Sequence, residues 1–125
     1  MIKRRVVVTG LGVISPNGIG KEAFWKNTVT GKSGVRRVTD YDVSQFRSQI
    51  AAQVVDFDPF AFGLSGEEVE RMDRYVQFAV AGAEAAVADA RFVFGDEIRE
   101  RTGICLANAI CGTRYMDEEV LRVTN

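Results

Sequence analysis

An α/β fold is predicted for this chain by three observations. A β-branched run closed by glycine, Val6 to Gly10, precedes a loop and a helix; a long stretch from Glu67 to Arg91 has helical periodicity; and a second short strand-like run, Thr102 to Ala107, follows it. The 125 residues suffice for one domain with a hydrophobic core. Apolar residues make up 46% and charged residues 26%, with two prolines, a balance that argues against disorder and fibrous folds.

The formal net charge of -1 leaves no basic face to concentrate phosphate, so no nucleic-acid partner is expected. No apolar run approaches the roughly 20 residues that cross a bilayer. The opening MIKRR leads into the first strand-like run without the apolar core of a signal peptide. A cytoplasmic protein with no membrane association is the expectation.

Val6, Val7 and Val8 read as a buried strand opening at Thr9 and Gly10 into a loop. That loop, Leu11 to Gly20, carries Gly12, Pro16, Asn17, Gly18 and Gly20, all suited to turns. A helix is predicted from Lys21 to Thr30, with Phe24, Trp25, Thr28 and Val29 on one face and Gly31 ending it in the left-handed conformation. Gly34 to Phe46 is an irregular connection. Alternation over Gln49 to Val55 predicts a strand, and Asp56 to Gly63 is a connection broken by Pro59.

Ser65 and Glu68 have capping-box spacing, in which the hydroxyl and the carboxylate each satisfy a free N–H at a helix start. From Glu67 to Arg91, Val69, Met72, Val76, Ala79, Val80, Ala83, Val87 and Ala90 recur at three- and four-residue steps, predicting one long amphipathic helix. Glu67, Glu68 and Glu70 suit the positive end of its dipole. Ala79 to Ala90, with Gly82, presents small side chains that let another backbone approach. Thr102 to Ala107 is predicted as a last strand, and Tyr115 to Val123 as the start of another helix.

Cys105 and Cys111 have neither CxxC spacing nor an accompanying histidine, and are expected to be buried, reduced structural thiols. A reactive cysteine needs a base or positive field, and the chain contains 0 His. Adjacent carboxylates at Asp117, Glu118 and Glu119 point in different directions on a helix and read as a solvated face, so no metal site is expected. Gly10, Gly12 and Ser15 after a strand invite a dinucleotide-binding reading. Ser15 stands where the fingerprint needs a third glycine, however, Pro16 follows at once, and the helix starts late.

The segment from Arg4 to Gly34, RRVVVTGLGVISPNGIGKEAFWKNTVTGKSG, resembles the opening of the β-ketoacyl-[acyl carrier protein] synthases, most closely the synthase II type. These are the condensing enzymes of fatty-acid and polyketide assembly. The likeness continues through Gly31 to Val35, through Arg71, Met72, Asp73, Arg74 and Gln77, and through Arg101 to Ile104, in consistent order. It implies a thiolase-like α/β fold of two related halves. Residues 1–125 then form an incomplete first half, the N-terminal part of the synthase N-terminal domain, with strand–loop–helix units on a mixed sheet.

In such an enzyme a cysteine accepts an acyl group from acyl carrier protein. Malonyl carrier protein then loses carbon dioxide, and the carbanion attacks the thioester. The resemblance places the nucleophilic cysteine and both active-site histidines beyond Asn125, so no catalytic residue is expected within the chain and the chain alone should be inactive. It implies no cofactor. The partners it implies are acyl carrier protein, acyl and malonyl thioesters, and a second subunit in a homodimer or heterodimer.

The sequence departs from the family pattern at Ala107, Asn108, Ala109, Ile110, Cys111 and Gly112, where similar enzymes carry more glycine and a serine near the acyl pocket and subunit interface. Ile110 aligns with a residue lining that pocket and is the expected substrate contact; the other reading is an ordinary buried apolar residue. The altered run also keeps open a non-catalytic partner subunit resembling the chain-length factors. A nucleotide-binding domain is the remaining alternative.

Overall fold

The structure, a computed structural model, describes residues 4–110 and 112–124. Pro16 and Asn17 turn the chain between β1 (Ile14–Ser15) and β2 (Gly18–Ile19), an antiparallel hairpin with Ile14 opposite Ile19 and Ser15 opposite Gly18. Its neck is closed by the Gly20 N–H donating to the Val13 carbonyl at 2.8 Å. Helix α1 (Lys21–Val29) follows. Asn17 ties the turn to it, since its amide donates to Thr28 Oγ1 at 3.0 Å while the Asn27 amide donates to the Asn17 carbonyl at 2.7 Å. As predicted, Gly31 beyond the helix is left-handed, with φ 67. The predicted apolar face is only partly covered: Phe24 is half-buried, but Trp25 and Val29 are exposed.

The strand expected over Gln49 to Val55 is cut to β4 (Ile50–Ala51), which pairs antiparallel with β3 (Arg36–Arg37). A 3-10 turn, Pro59–Phe62, is capped by Asp58, whose carboxylate accepts the Phe60 N–H at 3.0 Å. The capping box forms as predicted: the Ser65 N–H donates to Glu68 Oε2 at 2.8 Å, and the Glu68 N–H to Ser65 Oγ at 3.3 Å.

The single helix predicted from Glu67 to Arg91 is two, α2 (Gly66–Arg71) and α3 (Arg74–Ala90). Met72 is extended, and Asp73 caps the new start with its own N-cap geometry. Buried Gln77 makes the break tolerable, because its side-chain amide donates to the carbonyls of Val69 at 3.1 Å and Met72 at 2.9 Å. Apolar spacing runs straight through the interruption, so periodicity did not reveal it. Helices α4 (Asp96–Arg99) and α5 (Thr113–Thr124) complete the described elements, α5 covering the stretch predicted from Tyr115.

The core is small: Val38, Val43, Phe57, Leu64 and Ala81. Phe57 meets Phe78 edge-on at 4.9 Å and stacks with Phe62 at 5.7 Å, which seats α3 on the 3-10 turn.

The strands predicted at Val6 to Val8 and Thr102 to Ala107 do not form. Among the described residues there are only the two antiparallel ribbons, and the expected mixed sheet is absent. A strand exists through ladder bonds to a neighbour, and neither run has one. Val6, Ile104 and Leu106 are instead 92%, 86% and 69% exposed. The whole chain exposes 10760 Å². A compact protein of 13.8 kDa would expose only about 6,600 Å² by the scaling of surface with mass.

Candidate functional site

The Ala-rich half of α3 is the surface on which the N-terminal loop is built. Gly10 and Gly12 lie against its backbone: a Cβ on Gly10 would run into the Ala86 carbonyl and Ala90 nitrogen, and one on Gly12 into the Gly82 carbonyl. These glycines therefore serve backbone-to-backbone packing, the role the small residues of this helix suggested. They leave no open cradle for a phosphate.

Asp89, in the last turn of α3, reaches the same loop from its other side. Its Oδ2 accepts the Leu11 N–H at 3.0 Å, and its Oδ1 forms an ion pair with Lys21 Nζ. The Lys21 hydrogen bond, joined by the Leu11 N–H, holds the Asp89 carboxyl below the usual carboxylate range. The same bond to Asp89 raises Lys21 above the ordinary lysine value. An apolar hollow of about 470 Å³ lies beside this pair, walled by Leu11, Val13, Phe24 and Trp25.

A second hollow, of about 570 Å³, opens between α3 and the segment that departs from the family pattern. Gly12 and Ile14, Tyr75 and Phe78, and Leu106 and Asn108 are among the residues that line it. Ile110, the substrate contact expected from sequence, does not line it and is 84% exposed.

Cys105 is a correction: the expected buried thiol is exposed, because Ile104 and Leu106 on either side have nothing over them. Cys111 lies outside the described residues. On α5, Glu119 pairs with Arg122 at 2.9 Å, as suits a solvated helix face, alongside Asp117 and Glu118. With 0 His in the chain, the described residues assemble no nucleophile and imidazole base. Sequence reasoning missed Asp89, and it singled out Arg74 and Gln77 only as part of a family motif, without the contacts they make. For Asp89, an acid in the last turn of an Ala-rich helix, where the dipole disfavours it, was the available signal.

The family profile described as Beta-ketoacyl synthase, N-terminal domain, matches residues 3–125. The chain belongs to the β-ketoacyl synthase family. Over 121 residues, 97% of its length, it is 45% identical to a putative polyketide beta-ketoacyl synthase 1 of Streptomyces cyaneus. Over 118 residues, 94% of its length, it is 40% identical to 3-oxoacyl-[acyl-carrier-protein] synthase 2 of Coxiella burnetii. A solved structure, the ishigamide ketosynthase/chain length factor, superposes on 72% of the chain with a TM-score of 0.66 and 40% identity. This β-ketoacyl synthase segment spans under a third of those proteins, 28% of each sequence and 22% of the solved chain.

Both hollows are thus features of a β-ketoacyl synthase N-terminal domain. No helix among the described residues is long and apolar enough to cross a membrane.

Proposed function

We propose that this chain is the N-terminal part of a condensing enzyme that extends acyl chains in polyketide or fatty-acid synthesis, within a thiolase-like fold. The observation that carries the reading is the family match over residues 3–125. The uncovered surface supports it independently. An excess of about 4,000 Å² over a compact protein exceeds what a standard interface takes from one partner, roughly 800 Å². That is the scale on which one part of a domain core covers another.

In the reaction an acyl group passes from its carrier thioester to a cysteine, and the carrier thiol leaves. Malonyl carrier protein releases carbon dioxide, its carbanion forms the new carbon–carbon bond, and the cysteine thiolate is expelled. Donors aimed at the developing oxyanions are supplied by residues other than those of this chain. The 125 residues contribute scaffold and pocket wall, with acyl carrier protein and a second synthase-like subunit as partners in the cytoplasm. Ile110 is assigned to the acyl pocket on its alignment with a residue that lines that pocket in similar enzymes.

The altered run at Ala107 to Gly112, together with the likeness to a solved ketosynthase/chain length factor, favours one second reading, a partner subunit of the chain-length-factor kind. The protein carrying this segment, incubated with acyl and malonyl carrier proteins, is expected to yield carbon dioxide and an acyl carrier product longer by two carbons, read by mass spectrometry. An Ile110→Phe variant should shift products to shorter chains. No extension by a folded protein would overturn the catalytic reading, and an unchanged product distribution would remove Ile110 from the pocket.

A further inference from the structure

We propose that Asp89 and Lys21 form an ionic clip that seats the Leu11–Lys21 loop on α3, shapes the apolar hollow beside Trp25, and opens at acid and alkaline pH without the helix unfolding. The clip grips both ends of the loop. One carboxylate oxygen takes the Leu11 N–H at 3.0 Å and the other takes Lys21, so residues 78 and 68 positions away in sequence meet at a single side chain.

Its position in the helix argues for this role. A carboxylate in the last turn faces the negative end of the helix dipole, an unfavourable place for an acid that has no cation. Lys21 supplies that cation. Within the loop the hairpin is self-contained, its neck closed by Gly20 on Val13. Gly12 and Ile14 rest on α3 at Gly82, and the polar side chains fastening the loop's two ends to that seat are those of Asp89 and Lys21.

One wall of the hollow depends on the clip. The Gly20–Val13 bond already holds Val13 beside the helix that carries Phe24 and Trp25, and Asp89 fixes the remaining apolar lining residue, Leu11, against Lys21 at the start of that helix. The other charges acting on the pair are Glu22, 3.9 Å from Lys21 Nζ, and Arg91 just beyond α3. Arg91 favours the carboxylate and disfavours the ammonium. With the carboxyl held low and the ammonium held high, the clip persists across neutral pH. It is lost as pH falls through the depressed value of Asp89 or rises through the elevated value of Lys21.

Residue-resolved hydrogen exchange in the protein as expressed tests this, with Asp89→Asn and Lys21→Met beside the parent. On lowering the pH from about 7 to about 2, Leu11 protection, corrected for intrinsic exchange, should fall roughly tenfold, the scale of a lost hydrogen bond to a charged group. The Ala81 amide within α3 should keep its protection over the same range. Asp89→Asn should show the acid behaviour at neutral pH with no further step. Lys21→Met should lower Leu11 protection at neutral pH and remove the alkaline step; it decides the matter if Asp89→Asn fails to fold. Equal Leu11 protection in parent and folded variants, or simultaneous loss at Leu11 and Ala81 in the parent, would overturn the proposal.

Discussion

The Arg74 guanidinium lies 5.2 Å from the centre of the Phe78 ring, one turn further along α3. It also sits 5.6 Å from the Phe57 ring and donates to the Val54 carbonyl at 3.0 Å, so one cation joins the helix start to the two aromatics that seat it. Replacing it by lysine keeps the charge but loses the planar stacking and the fixed donor geometry. Arg74→Lys should lower stability by about 0.5–1 kcal/mol, the range for a solvent-exposed cation over a ring, read from urea unfolding.

Gln77 is more costly to lose. It satisfies two carbonyls at the α2–α3 break from a buried position. Gln77→Leu fills the space but leaves both acceptors without their side-chain donor, for an expected loss of about 1–3 kcal/mol. Gln77→Glu should be worse, since a carboxylate aimed at two carbonyl oxygens replaces a donor. A Gln77→Leu protein as stable as the parent would show that water meets those carbonyls.

Gly12→Ala places a methyl group in the Gly82 carbonyl, backbone against backbone. No side chain can swing aside, so α3 must shift or the loop lift. A drop of about 1–3 kcal/mol or more is expected, with increased binding of an apolar dye. Gly66→Ala, at a position with open space around it, is the matched control and should be close to neutral.

Local signals read well in this sequence. The Ser65–Glu68 cap, the Gly31 terminator and the close approach to the Ala-rich helix are each written in a few neighbouring residues, and each forms. The failures share a cause. Val6 to Val8 and Thr102 to Ala107 have the composition of buried strands, yet strand formation requires a partner that no described residue supplies. Cys105 is exposed for the same reason. The break at Met72 escaped because Asp73 and Gln77 act through hydrogen bonds that hydrophobic periodicity does not register. The Lys21–Asp89 contact spans the chain, and no short string encodes it.

Acid pH should weaken the capping box. The Ser65 N–H, then its hydroxyl, holds the Glu68 carboxyl below its usual value, and the Ser44 N–H and hydroxyl do the same for Asp42. A carboxyl lowered on folding contributes stability that is complete above the unfolded value, about 4, and is lost as pH falls through the folded one. Urea midpoints should therefore hold steady above about pH 5 and decline below about pH 4. Glu68→Gln should remove Glu68's share, so its gap from the parent narrows in acid, whereas Ser65→Ala, which keeps the Ser65 N–H, should remove only the hydroxyl's part; a constant gap for Glu68→Gln would assign the cap's effect to neutral hydrogen bonding alone.

The central claim is that these residues are a β-ketoacyl synthase N-terminal segment whose apolar faces are made to be covered. Sedimentation velocity of the 125-residue chain, paired with thermal unfolding, addresses it most directly. With Val6, Ile104 and Leu106 uncovered and a net charge of -1 offering little repulsion, the chain should self-associate as concentration rises and unfold without a sharp transition. A monodisperse monomer with one cooperative, high-temperature transition would contradict the account, because it would mean that this surface needs no cover.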